Sequence, residues 1–271
     1  MNPETSPFQG LTRLIQHLRG ENGCPWDRKQ TPLTLSVYLV EEVYELVDAI
    51  QSGDPEAVQE ELGDVLFLIF FLAAMYQEQG HFDIRKAAIA NTLKMRNRHP
   101  HVFGDTTVES AEDVRRNWHQ IKAAEKINKP QNASLLDSVP KQLPALMRAY
   151  RISERAARTG FDWEDMGGVL DKAEEEWGEL KTELSRDASA FNPEDVALEF
   201  GDVLFTLTNV ARFASIHPET ALSAATRKFE KRFAYMERVS SETGKTFEDL
   251  TFDDMHALWQ QAKEHSQKNT E

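Results

Sequence analysis

Two stretches of the chain repeat one acidic pattern, and its spacing constrains the fold more than any other feature. Glu41-Glu42-x-x-Glu45 is followed by Glu61-x-x-Asp64, and Glu175-Glu176-x-x-Glu179 is followed by Glu199-x-x-Asp202. Both parts of the first copy read as helical, broken at Ser52-Gly53-Asp54-Pro55, which carries a helix stop and then a restart. An antiparallel hairpin folded about Gly53 sets Glu45 opposite Glu61 and Glu42 opposite Asp64. In the second copy the pivot falls at Ser189, within the loop-like stretch Ser185–Pro193, and sets Glu179 opposite Glu199 and Glu176 opposite Asp202. Four carboxylates thus converge twice between paired helices, which predicts a cation site in each copy.

Most acidic runs are solvated faces. Two observations weigh against that here. No Lys or Arg occurs between Gln30 and Ile84, so no i,i+4 ion pair can neutralise these acids within the first hairpin. Asp64 also leads directly into the apolar run Val65–Met75, so the acidic end adjoins a segment that must be buried. Like charges against a core are costly without a counter-charge. All-oxygen donors favour Mg²⁺, with Mn²⁺ as a substitute, over softer metals.

The net charge of −14 disfavours a nucleic-acid polymer as partner. It does not disfavour a nucleotide, because bound metal inverts the local sign. The single cysteine, Cys24, excludes an intramolecular disulfide framework and suits a reducing compartment. The first ten residues lack the basic and apolar regions of a secretory signal. Val65–Met75 is shorter than the roughly 20 apolar residues of a bilayer span. The expectation is a cytoplasmic protein with no membrane partner.

The repeat extends beyond the acids. Leu11-Thr12-Arg13 matches Leu146-Met147-Arg148, Trp26 matches Trp163, Lys94 and Arg98 match Lys228 and Arg232, and Trp118-x-x-x-Lys122 matches Trp259-x-x-x-Lys263. These markers keep their order at offsets between 134 and 141. Such a long period indicates two copies of a domain rather than a solenoid. Helical windows in the first half are Thr31–Gln51, Glu56–Gln79, Arg85–Asn97 and Ala111–Ala124. In the second they are Leu143–Ala157, Gly168–Ser185, Pro193–Ala214, Glu219–Thr243 and Phe252–Lys268. Strand-like alternation is nearly absent, so an all-α class is expected. Its two helical domains, 1–125 and 143–271, are joined by a Pro-, Asn- and Ser-rich linker over 126–142, and Asn2–Gln9 and His265–Glu271 read as frayed ends. A hairpin with one long apolar stripe beside four acids needs a second hairpin, giving four-helix-bundle-like cores. A homodimer is the simplest source of that partner.

Lys228 and Arg232 share one helical face, and their recurrence as Lys94 and Arg98 favours phosphate binding over ordinary surface charge. Trp259, with Lys263 one turn on, can be a core anchor or a platform for a nucleobase. Cys24 has no context that would activate a thiolate. His99 and His101, flanking Pro100, fit a helix-terminating turn.

Together, EExxE followed by ExxD, the duplication, and the segments GCPWD, RHPHVFG, KFEKRF and WQQAK resemble the two-domain MazG proteins of the all-α nucleoside triphosphate pyrophosphohydrolases. The resemblance runs from about Leu11 to Lys263. It implies Mg²⁺-dependent hydrolysis of ribo- and deoxyribonucleoside triphosphates to monophosphate and pyrophosphate by a homodimer. By matching motifs, Glu176, Glu179, Glu199 and Asp202 would hold the metal, as would Glu42, Glu45, Glu61 and Asp64 in the first copy. Lys172, Lys228 and Arg232 would contact the triphosphate, with Lys228 also serving catalysis, and Trp259 and Lys263 would contact nucleotide. Glu175, rotated by about 100° from Glu176 on a helix, is a candidate to activate water.

Metal-activated water attacking the α-phosphorus in line requires no covalent nucleophile, and none is evident. Lys172 stands four residues before Glu176, whereas Tyr38 stands four before Glu42. The resembled family usually places activity in the C-terminal copy, in agreement. The alternative is a non-catalytic nucleotide- or metal-binding regulatory module. A di-iron bundle would need Glu-x-x-His pairs, and in neither copy does a His stand three residues after a site Glu; a P-loop enzyme would need GxxxxGK[ST], which does not occur.

Overall fold

Prolines set the helix starts of this chain. A computed structural model describes residues 6–125, 134–187, 189–243 and 246–268. Pro7, Pro25, Pro32, Pro55, Pro100, Pro193 and Pro218 each stand at the first position of a helix. Proline's fixed φ is pre-organised there and its missing N–H costs nothing. Among the described residues there is no strand, and the fold is all-α. The chain divides into two compact units, Met1–Lys129 and Pro130–Glu271. Residues 126–133 of the expected linker lie outside the described residues. The remainder of it contains a 3₁₀ turn, Leu135–Ser138, that packs on the first helix of the second unit.

The first unit comprises α1 (Pro7–Arg19), α2 (Pro25–Lys29), α3 (Pro32–Ser52), α4 (Pro55–Glu78), α5 (Ile84–Arg98), α6 (Pro100–Phe103) and α7 (Ala111–Ala124). The hairpin α3–α4 turns on Gly53, whose φ of 75° is a left-handed conformation that glycine adopts freely. Asp54 then caps α4 by accepting from the Glu56 N–H at 3.0 Å. Ile15, Leu35, Leu68, Phe71, Ala74 and Met75 form one apolar core, with Leu11, Leu39 and Phe70 packed against it. Arg19 clamps this core from the side. It donates to both carboxylate oxygens of Glu78 at 2.7 and 2.6 Å and to the Asp27 carbonyl at 2.8 Å, joining α1, α2 and α4.

α1 corrects one expectation. Pro7–Gln9 are helical rather than frayed, because Leu11, Ile15 and Leu18 form a stripe on the same helix and Ile15 is wholly buried. Residues 1–5 lie outside the described part. At the other end, 265–268 continue the last helix of the chain, and 269–271 lie outside the described residues.

The second unit comprises α8 (Ala145–Ala157), α9 (Met166–Leu184), α10 (Pro193–Phe213), α11 (Pro218–Glu242) and α12 (Phe252–Lys268). The hairpin α9–α10 mirrors α3–α4, and α8 packs on α10 as α1 packs on α4. The interior is different. Ser153 on α8 and Thr206, Thr208 and Asn209 on α10 are all buried. Asn209 Oδ1 accepts from Ser153 Oγ and from Arg212 Nη2, while Arg212 forms a two-pronged ion pair with Asp162. Beside this network lies a cavity of about 340 Å³. Among the described residues no helix is long and apolar enough to cross a membrane.

Candidate active site

In the second unit, Asp165 caps α9 by accepting from the Gly168 N–H at 3.0 Å. The helix then carries Lys172, Glu175, Glu176 and Glu179 in succession. Asn192 caps α10 by accepting from the Glu194 N–H at 3.1 Å, and this helix brings Glu199 and Asp202 alongside. Ligand oxygens of Glu176, Glu199 and Asp202 all lie within 4.8 Å of one another. Glu176 is buried, at 8% exposure. Glu199 has its pKa raised, first by burial and then by the charges of Glu179, Asp202 and Glu176. Glu179 is exposed and stands outside the trio, acting on it through charge.

Lys172 is the one cation at the edge of this cluster among the described residues. Its Nζ lies 2.8 Å from Glu175 Oε1 and 3.0 Å from Glu176 Oε1. Hydrogen bonds to these two carboxylates, Glu175 first, raise the lysine's pKa and keep it charged. One lysine against this many carboxylates leaves an excess of negative charge around the buried Glu176 and the half-buried Glu199. A hard divalent cation with oxygen ligands fits that donor set.

The first unit brings together a different three of its four acids. Glu42, Glu45 and Glu61 converge to the same 4.8 Å limit, and Asp64 stands outside. Burial, together with the surrounding acids, raises the pKa values of Glu42 and Glu61. Among the described residues no ion pair reaches any of these four acids. Where the second copy has Lys172, the Tyr38 ring packs at 5.6 Å against Trp26.

The basic residues diverge as well. In the second unit the Arg232 guanidinium lies 5.7 Å from the ring centre of Trp259, which itself packs on Phe229 at 5.3 Å. Arg232 Nε is buried and has no hydrogen-bond partner. In the first unit Arg98 lies 5.6 Å over Trp118, and Lys122 lies 4.6 Å over the same ring. There Arg98 is held by Glu125: its Nε donates to Oε1 at 3.1 Å, and Nη2 pairs with the other oxygen. That bond lowers the Glu125 pKa. At the Trp118-to-Trp259 offset, Glu125 corresponds to Ser266. Sequence periodicity did not reveal Glu125, because it reaches Arg98 across 27 residues of chain. Lys228 and Lys263 sit on α11 and α12, and among the described residues no ion pair links Lys228 or Arg232 to the acids of α9 and α10. His99 ends α5 and begins α6, the turn expected of it.

A family model described as the MazG nucleotide pyrophosphohydrolase domain matches residues 30–103, which include the first acidic hairpin. Over 254 residues the chain is 42% identical to the nucleoside triphosphate pyrophosphohydrolase of Escherichia coli K12, covering 93% of this chain and 95% of that protein. The nucleoside triphosphate pyrophosphohydrolase/pyrophosphatase MazG of Thermotoga maritima is 41% identical over 256 residues, covering 94% and 95%. A solved MazG-related protein from Thermotoga maritima matches 42% of this chain and 98% of its own at 28% identity, with a TM-score of 0.37.

Proposed function

The chain belongs to the MazG family and is a nucleoside triphosphate pyrophosphohydrolase; from that premise we propose that its second copy carries most of the turnover, with Mg²⁺ as cofactor. Ribo- and deoxyribonucleoside triphosphates are the substrates, and water attacks the α-phosphorus. The α–β phosphoanhydride bond breaks, giving monophosphate and pyrophosphate. One observation carries the choice of copy: Lys172 Nζ, at the edge of the Glu176, Glu199 and Asp202 trio, bonds both Glu175 and Glu176.

Glu176, Glu199 and Asp202, with Glu179 beside them, would hold the cation. When bound, Mg²⁺ polarises the phosphoryl oxygens and acidifies the attacking water. Glu175, next to the ligands and bonded to Lys172, would take the proton from that water. Lys172, Lys228, Arg232 and Lys263 neutralise the triphosphate and the charge that builds on departing pyrophosphate. Trp259 holds the Arg232 guanidinium by a cation–π contact. The first copy, with Glu42, Glu45, Glu61 and Asp64 as its metal ligands, is weak in turnover or structural: Tyr38 stands where the second copy has Lys172, and Arg98 is already paired with Glu125 and so less available to a triphosphate.

The protein works in the cytoplasm as a homodimer, with no nucleic-acid polymer or membrane as partner. Leu33, Val37, Val40, Tyr44 and Val47 remain exposed along α3, and a second hairpin would cover such a stripe. Product analysis across a panel of standard and modified triphosphates with Mg²⁺ tests the reaction. Monophosphate plus pyrophosphate is expected; diphosphate plus orthophosphate would overturn it.

A further inference from the structure

Resting on the reading of the second copy as the active one, we propose that the cavity between α8 and α10 is its nucleobase pocket. We further propose that Ser153, Asn209 and the Arg212–Asp162 pair read the polar edge of the base.

The cavity is lined in part by Phe205, one turn beyond Asp202 on α10, and by Trp163. A Cβ built on Gly168 would come 3.4 Å from Trp163 Cδ1, so that indole covers the first turn of α9. Gly168, Lys172 and Glu176 follow at intervals of four, on one face of α9. At 1.5 Å per residue, Gly168 lies about 12 Å from Glu176 and Asn209 about 10 Å from Asp202 along their helices. The order along the seam is therefore cavity, lysine, acids. A nucleoside triphosphate has the same order: base, phosphates, metal.

Phe205 and Trp163 offer flat apolar surface. Asn209 Oδ1, Ser153 Oγ and the Arg212 guanidinium bond one another and Asp162, and Asn209 Nδ2 donates to the Phe205 carbonyl at 3.1 Å, so the second amide N–H and the remaining Asp162 lone pair are what a base would meet. A mostly apolar cavity with a few convergent polar groups suits a planar heterocycle. Asn209 is 1% exposed and bonds Ser153, and Arg212 Nε donates to Ser153 Oγ at 2.9 Å, so these groups are fixed before any ligand enters. A pre-fixed polar edge discriminates strongly between partners that match it and partners that do not.

The first copy differs at the same place. At the offset of 138 that relates Glu61 to Glu199, Asn209 corresponds to Phe71. At the offset of 135 that relates Leu11 to Leu146, Ser153 corresponds to Leu18. Phe71 belongs to the apolar core and is 1% exposed, and Tyr38 with Trp26 occupies the seam further on. The same place is closed by hydrocarbon in the first copy and opened by polar groups in the second.

The test uses Asn209→Phe, which imports the residue of the first copy, and the isosteric Asn209→Asp, with thermal melting to check the fold. KM is measured for purine and pyrimidine triphosphates. The inhibition constant of inorganic triphosphate, which has no base, reports the phosphate and metal end. Asn209→Phe is expected to raise KM for nucleotides at least about tenfold and to leave the inorganic triphosphate constant within about twofold. Asn209→Asp is expected to reorder the base preference. An unchanged base ranking in Asn209→Asp, or a parallel rise of both constants in Asn209→Phe, would overturn the pocket. Should the wild type release no pyrophosphate from any nucleotide, the reading of function fails instead. Calorimetric nucleotide binding to wild type and Asn209→Phe then decides the pocket: weakened binding in the variant supports it, and equal binding sinks it.

Discussion

The two units share one helical plan and differ in how they fill it. The first closes its interior with Phe71, Leu68 and Ile15, covers its acidic seam with Trp26 on Tyr38, and neutralises Arg98 with its own Glu125. The second puts Asn209, Thr206 and Ser153 in its interior, Lys172 on its seam, and leaves Arg232 Nε without a partner. Duplicated sequence keeps the scaffold because helix caps and the hairpin register tolerate little change. On the proposed reading, in which the second copy carries most of the turnover, ligand-facing positions of the first are free to diverge.

Stability offers the largest contrast. Phe71→Ala opens a void in a filled core and is expected to cost about 3–5 kcal/mol. Asn209→Ala should cost about 1–3 kcal/mol, for polar groups left unpaired. Chemical denaturation of each variant measures both, and equal costs would mean that the two interiors are packed alike. Activity follows. Glu176→Ala is expected to lower pyrophosphate release by at least about 100-fold, while Glu42→Ala leaves most of it; equal losses with folding intact would sink the assignment to the second copy. The lysine sharpens the same contrast: Lys172→Ala should reduce kcat/KM by about 10- to 100-fold, whereas Tyr38→Ala should leave it nearly unmoved.

A smaller effect is expected from pH. Glu42, Glu61 and Glu199 have pKa values raised above the ordinary 4.5 in the folded protein. The folded state therefore holds their protons more tightly than the unfolded chain does. The resulting stabilisation is complete below 4.5 and is lost as pH rises through the folded values. In EDTA, melting temperature should climb by a few degrees as pH falls from 7 toward 5, and Mg²⁺ at pH 7 should recover part of that gain. A melting point that instead falls over this range would show that the acids are not crowded as described.

Much of the scaffold was legible in the sequence for a local reason. Pro32, Gly53, Pro55 and Pro193 act within one or two residues of themselves, so the expected hairpin windows match α3, α4, α9 and α10 to within two residues at each end. The converging acids followed from the same register, though only three of four meet in each copy: Asp64 is left out of one trio and Glu179 out of the other. Helix α1 was missed even though Leu11, Ile15 and Leu18 carry its stripe, because its polar opening residues resemble a loose end. The cavity was not legible. Ser153, Thr206, Thr208 and Asn209 look like a solvated face until α8 is seen packed across α10, and Glu125 meets Arg98 only through the packing of α5 on α7.

The turn at Gly53 has a consequence for length variation. Only Gly53 and Asp54 separate α3 from α4, so one inserted residue would swing every later side chain by about 100° around the axis of α4. The carboxylates would no longer point at one another. Eight residues, 185–192, separate α9 from α10, which leaves slack to absorb an insertion before Pro193 restarts the helix. A fluorescent or affinity tag therefore belongs in that second connection, where chain length can change without rewriting the alignment of either helix.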